Sequence, residues 1–140
     1  MQVFIVGSPF ETAKALDSRR LNKQIIECKQ IYNAIIGESK AWANHPCTLM
    51  YKNHLNWLAW YTSCLCYYKD GMECTAKECS DFADNKKPDF HTKEYFDQMK
   101  RRLYTKNPNH YNQWSDLGES EVNWYFVDNE WKYYKNGKRI

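Results

Sequence analysis

The sequence predicts a mainly α protein: a compact single-domain helical bundle over residues 1–140, closed by a small extended or hairpin aromatic tail. Three observations carry this expectation. Apolar residues recur at steps of three and four through 18–36. Gly and Pro stand at the ends of such runs rather than inside them. A chain of 140 residues suits one core. Hydrophobic residues reach 43%, but 11 Tyr, 6 Trp and 6 Phe supply much of that total, and the mean hydropathy is −0.84. Such a chain is expected to be soluble. Its apolar runs are too short for a membrane span, and Met1-Gln2 leads into no cationic-then-apolar export signal.

Taken in order, Gln2–Val6 is a short β-prone run broken by Gly7-Ser8-Pro9. A helix follows from about Ser18 to Ile36, stopped by Gly37. Pro46 can open a second helix through Leu49, Leu55, Leu58 and Leu65, ending near Asp70-Gly71. Met72–Ala83 and Thr92–Leu103 read as shorter helices, the second closing on Lys100-Arg101-Arg102, where cations suit a helix C-terminus. Val122–Val127, Asp128-Asn129 and Glu130–Tyr134 read as a hairpin or an irregular aromatic tail.

The net charge of +3 hides an asymmetry. Residues 1–60 carry seven Lys/Arg against four acids, residues 70–97 eight acids against four bases, and residues 98–140 eight bases against five acids. A basic patch drawn from both ends of the chain, with the acidic segment turned away, fits a polyanion; a solvated mixed surface fits the same counts.

The helix from Ser18 sharpens the question. Leu21, Ile25, Cys28, Ile31 or Tyr32, and Ile35 form an apolar stripe that should face a core. The opposite stripe holds Arg20, Lys23, Gln24 and Gln30, with one carboxylate, Glu27, among them. Glu27 is either a salt-bridged surface acid or a carboxylate that stabilises a developing cation, or acts as general base, beside a bound polyanion.

The remaining candidates are weaker. Six cysteines without an export signal point to free thiols in a reducing cytoplasm. Cys64 and Cys66 stand two apart, a poor chelate on a helix, and are expected to pack as small hydrophobes rather than bind zinc. His45, before Pro46, can cap a helix, pack, or contact phosphate. The tail interleaves Trp131, Tyr133 and Tyr134 with Lys132, a mixture that can stack on bases or close the core.

The run LDSRRLNKQIIECKQI, then NHPCTLMYKNHLNWL and a WKYYKNGK tail, resembles the pyrimidine-dimer DNA glycosylase family, the phage-type endonuclease V enzymes. Leu21 and Glu27 match a leucine six residues before a glutamate on an early helix. His45-Pro46 and Met50-Tyr51 match a His-Pro followed by an apolar-aromatic pair, and Trp131, Lys132, Tyr133, Tyr134, Gly137 and Lys138 echo the terminal run. The likeness is dense over about the first seventy residues and sparse beyond them.

That resemblance implies a metal-free and cofactor-free, monomeric DNA N-glycosylase with AP-lyase activity. It would work on double-stranded DNA in the cytoplasm, at the nucleoid or in the host of a phage. The family attacks C1′ of the damaged nucleotide with its N-terminal α-amine, so Met1 is the implied nucleophile and Glu27 the acid that supports the cationic sugar and the imine. Gln2 is too large for ordinary removal of Met1. An α-amine, with an ordinary pKa of about 7.7–8.0 against 10.4 for lysine, is neutral about two orders of magnitude more often near pH 7.4; Lys23 is the fallback. Arg20 and Lys23 would hold phosphates. Arg19, Gln24, Gln30, His45, Trp131, Lys132, Tyr133 and Tyr134 would complete the DNA face. The lesion, a dimer or another damaged or modified pyrimidine, is left open. A catalytically silent DNA-binding module on the same scaffold, or a protein-interaction factor using the acidic 70–97 segment, are the competing classes.

Overall fold

The computed structural model describes residues 1–71 and 87–140. The expected helix over Met72–Ala83, Cys74 and Cys79, and most of the acidic segment lie outside the described residues. The chain divides into two compact units, Met1–Pro88 and Asp89–Ile140. Among the described residues it is mainly α, with one small three-stranded antiparallel sheet near the C-terminus. None of the helices among the described residues is long and apolar enough to cross a membrane.

The first unit holds α1 (Pro9–Ala15), α2 (Ser18–Ile36), α3 (Pro46–Tyr51) and α4 (Leu55–Lys69). The expected helix α2 is present over its expected length. It stops where Gly37 takes φ 85° and donates its N–H to the Asn33 carbonyl, a left-handed position that costs glycine little. α1 is additional to the expected elements, and its start is written in the sequence: Ser8 accepts the Glu11 N–H at 3.1 Å and Pro9 opens the first turn.

The single helix expected from Pro46 to Asp70 is two helices. It breaks after Tyr51, where the His54 N–H turns back to the Tyr51 carbonyl at 2.9 Å. Residues six apart on one helix face different ways. The break instead lets Tyr51 stack on Trp57, and Trp57 on Tyr61, with centroids 5.6 and 5.1 Å apart. These rings, with Leu58, Cys64 and Leu65, are buried where α1 and α2 pack on α4. From α2 the core takes Leu21, Ile25, Cys28 and Ile31 as expected, while Tyr32 and Ile35 are only partly covered.

The β-prone run Gln2–Val6 forms no strand. Its polar backbone is satisfied by side chains instead. Gln24 Oε1 accepts the Phe4 N–H at 2.6 Å and Gln24 Nε2 donates to the Gln2 carbonyl at 3.0 Å. The Tyr61 hydroxyl donates to the Phe4 carbonyl, and Thr12 Oγ1 accepts the Val6 N–H at 3.0 Å. A buried backbone must find partners, and here three helices supply them.

The second unit contains α5 (Lys93–Lys106), a 3₁₀ turn (Asn112–Leu117) and strands β1 (Val122–Val127), β2 (Glu130–Lys135) and β3 (Lys138–Arg139). Thr92 caps α5 by accepting the Tyr95 N–H at 3.2 Å. The aromatic tail is the expected hairpin extended by one strand. Val127 pairs with Glu130 and Lys135 with Lys138, so both connections are two-residue turns. Asp128 and Asn129 (φ 55° and 62°) and Asn136 and Gly137 (φ 53° and 76°) all take positive φ, the geometry that matches strand twist and favours Asn, Asp and Gly.

Candidate active site

The side chain that organises the site is Gln24, and its placement corrects the expected amide-rich surface. Gln24 is 2% exposed. It lies three residues from Leu21 and four from Cys28, on the apolar stripe of α2, and both ends of its amide bond the N-terminal backbone. The polar residue inside the i, i+3, i+4, i+7 pattern was the signal for this role. Gln24 is a tether, and Glu27 sits one helical step further on the same element.

A second tether comes from α3. His45 caps that helix, its Nδ1 accepting the Cys47 N–H at 3.0 Å, and Cys47 takes a hydrogen bond from the Val3 backbone. Residues 2–4 are thus fixed on α2 at two atoms and on the first turn of α3 at a third, which leaves Met1 beside both. The electrostatics agree. Burial pushes the Cys47 thiol up to about 12; the Met1 ammonium and the Val3 N–H oppose that rise and the Glu27 carboxylate adds to it. One thiol therefore feels both the α-amine and the acid. Burial, then Cys47, also raises the Cys28 thiol well above its usual range. Neither is a thiolate near neutral pH, which removes both as nucleophiles.

Glu27 is largely covered: its side chain is 14% exposed and lies 3.8 Å from Lys23 Nζ, whose own side chain is 59% exposed. A pair of that length with a solvated lysine contributes little stability, so the ion pair alone does not account for an acid at this place. Arg19 and Lys23 are exposed, Arg20 and Gln30 are half-buried, and positions 20, 23, 27 and 30 share one face. The Arg20 Nε is buried without a hydrogen-bond partner among the described residues. An anion at the Arg20 guanidinium would meet a donor that is already desolvated.

His45 supplies a pH test. Burial, and behind it the Met1 ammonium, hold its imidazole below the usual range. A depressed base stays neutral in the folded state while the unfolded chain takes up a proton. Its contribution to stability is therefore complete above about pH 6.5 and is lost as pH falls through the folded value. Protonation also removes the Nδ1 lone pair that caps α3. Wild-type stability should fall on acidification from pH 7.5 to 5, and His45→Asn, which keeps a capping oxygen, should flatten that dependence in urea titrations. Equal acid loss in both proteins would place the titrating group elsewhere.

Gln24→Leu gives the stability counterpart. It fills the same space and orphans the Phe4 N–H and the Gln2 carbonyl. Each buried unpaired group costs about 1–3 kcal/mol, so the urea midpoint should drop markedly at unchanged slope. An unshifted midpoint would mean that the N-terminal segment is held by other contacts.

In the second unit the tail residues play unequal parts. Trp131 stacks on buried Tyr95 at 5.4 Å and meets Trp124 and Phe126 edge-on; Tyr134 meets buried Tyr125 edge-on. Lys132 lies 3.5 Å from Asp128. Tyr133 is exposed. About half of this tail is packing. The Lys100-Arg101-Arg102 cluster braces its own unit: Arg101 Nε donates to the Leu117 carbonyl and Arg102 Nε to Asn123 Oδ1, both at 2.9 Å. Cys28, Cys47 and Cys64 are buried, Cys66 is half-buried, and all four are free thiols. No group of three or more His, Cys, Asp or Glu among the described residues could hold a metal ion.

Residues 1–68, which contain α1 to α3 and nearly all of α4, match the family model described as pyrimidine dimer DNA glycosylase. No curated protein and no solved structure matches the chain.

Proposed function

We propose, from the match of residues 1–68 to the pyrimidine dimer DNA glycosylase family model, that the chain excises a damaged or modified pyrimidine from double-stranded DNA and then nicks the strand as an AP lyase. The reading takes residues 1–140 as one glycosylase-like domain, acting as a monomer without metal or cofactor. One observation supports it above the others. Gln24 and Cys47 pin residues 2–4, and the Met1 ammonium acts on the His45 imidazole and on the Cys47 thiol, which also feels the Glu27 carboxylate.

The chemistry follows from that grouping. The neutral α-amine donates its lone pair to C1′, and the base departs with the glycosidic electrons and takes up a proton. The sugar ring opens to an iminium on Met1, whose positive charge the Glu27 carboxylate stabilises. Glu27 then assists removal of a C2′ proton, and the 3′ phosphate leaves by β-elimination. Water releases the aldehyde and restores the amine. Arg19, Arg20, Lys23 and Gln30 line the phosphate face of α2 and His45 stands at the start of α3; in the second unit Lys132, Trp131, Tyr133 and Tyr134 are the residues proposed to contact DNA. Gln24 acts behind this face by placing Met1.

The test is a panel of lesion-bearing duplexes mixed with the protein and sodium borohydride. A covalent protein–DNA adduct on at least one lesion, and none on undamaged duplex, is expected. Tight, salt-dependent DNA binding without an adduct on any lesion would favour the silent module. The phosphate face has its own test. Arg20→Ala and Lys23→Ala should each weaken binding to all sequences and flatten the slope of log K against log salt by about one unit per lost contact. Unchanged slopes in both would move the DNA face off α2.

A further inference from the structure

Between α2 and α3 the chain makes two overlapping turns, 40–43 and 42–45, that share Trp42 and Ala43. The Ala43 N–H donates to the Lys40 carbonyl at 3.3 Å, and the His45 N–H donates to the Trp42 carbonyl at 3.0 Å. Trp42 is the third residue of the first turn and takes φ 67°. A positive φ at that position is normally left to Gly or Asn, because a Cβ is strained there. Here it carries the largest side chain of all. The indole does not go into the core: Trp42 is 45% exposed. Its ring stands at 73° to the His45 imidazole, with centroids 5.6 Å apart. A perpendicular contact covers no more than one face of the indole.

Strained backbone that holds an exposed aromatic ring is a costly arrangement for a surface loop, and it clusters at sites with a function. The ring packs on the residue that caps α3, and the first turn of α3 carries the Cys47 tether to Val3. Resting on the glycosylase reading, we propose that Trp42 is the stacking platform for the pyrimidine to be excised. Its open face takes the damaged base while the sugar of the same nucleotide reaches Met1. Stacking suits this task because every pyrimidine, intact or modified, offers a π-face. Selectivity for damage then comes from the lower cost of unstacking a distorted base.

The substitution Trp42→Gly separates this role from a structural one, since Gly accepts φ 67° without strain and the melting temperature should stay level or rise. Two duplexes are compared, one with a thymine dimer and one with a tetrahydrofuran abasic analogue at the same place, which has no base to stack. In binding, the preference for the dimer over the analogue should fall roughly 10- to 100-fold. Trp42→Phe should restore most of it. On cleavable substrates the dimer-to-abasic ratio of kcat/KM should fall with the binding ratio. Equal loss on both duplexes, or no loss on either, overturns the proposal. A wild-type protein that gives neither nick nor borohydride adduct on the dimer duplex or on a duplex with a natural abasic site would instead overturn the glycosylase reading, and the binding ratio would still decide the role of Trp42.

Discussion

Glu27→Gln is expected to lower strand cleavage by at least roughly 10²–10³-fold, the size of effect seen when one preorganised electrostatic group is removed from a site where charge develops, while DNA affinity holds or rises. The amide keeps the shape of the side chain and removes its charge. In the proposed reaction that charge faces the cationic sugar and the imine, which exist only after DNA is bound. Its loss should therefore appear in kcat rather than in KM. Affinity can rise because a carboxylate next to a phosphate-binding face repels the backbone it serves. The ion pair with Lys23 is long and half solvated, so folding stability should barely change. Single-turnover nicking and binding isotherms on the same duplex measure the two effects separately. Cleavage at the wild-type rate would return Glu27 to an ordinary surface acid.

Blocking the N-terminus should have the larger effect. An imine forms only from a neutral, accessible amine. Acetylation of the Met1 α-amine, or an uncleaved tag ahead of it, should abolish both borohydride trapping and nicking while the protein remains folded and bound to DNA. In the native protein, digestion of the trapped complex should place the DNA on the N-terminal peptide. An adduct on Lys23 would keep the reaction class and replace the nucleophile. Gln24→Leu links this result to the fold: at urea concentrations where it is still native, it should trap more slowly than wild type because the segment that carries Met1 is no longer tethered to α2. A variant with a lowered urea midpoint and full trapping rate would show that Gln24 stabilises the segment without positioning its amine.

The sequence by itself determined the features that depend on neighbours along the chain. The span of α2 follows from its apolar period and from Gly37, and the cap of α5 from Thr92. The hairpin follows from Asp128-Asn129, a pair that accepts positive φ. Glu27 was recognisable because a lone acid on a cationic stripe stands out at helical spacing. The start of α1 at Ser8-Pro9 is equally local.

Only the tertiary structure decided matters that turn on where distant residues meet. Gln2–Val6 has the composition of a strand, yet side chains take the place of a strand partner: Gln24, Tyr61 and Thr12 supply its hydrogen bonds from 20, 57 and 6 residues away in sequence. The pattern through Pro46 and Leu65 contains no breaker strong enough to announce the gap at 52–54, which the Tyr51–Trp57–Tyr61 stack imposes. Gln24 on α2 faces inward because the backbone it bonds arrives from the N-terminus, and Trp42 sits at a glycine-like φ because two turns must meet there. Periodicity shows which face of a helix is buried. What is buried against that face, and hence which polar groups must be satisfied there, is a property of the folded chain.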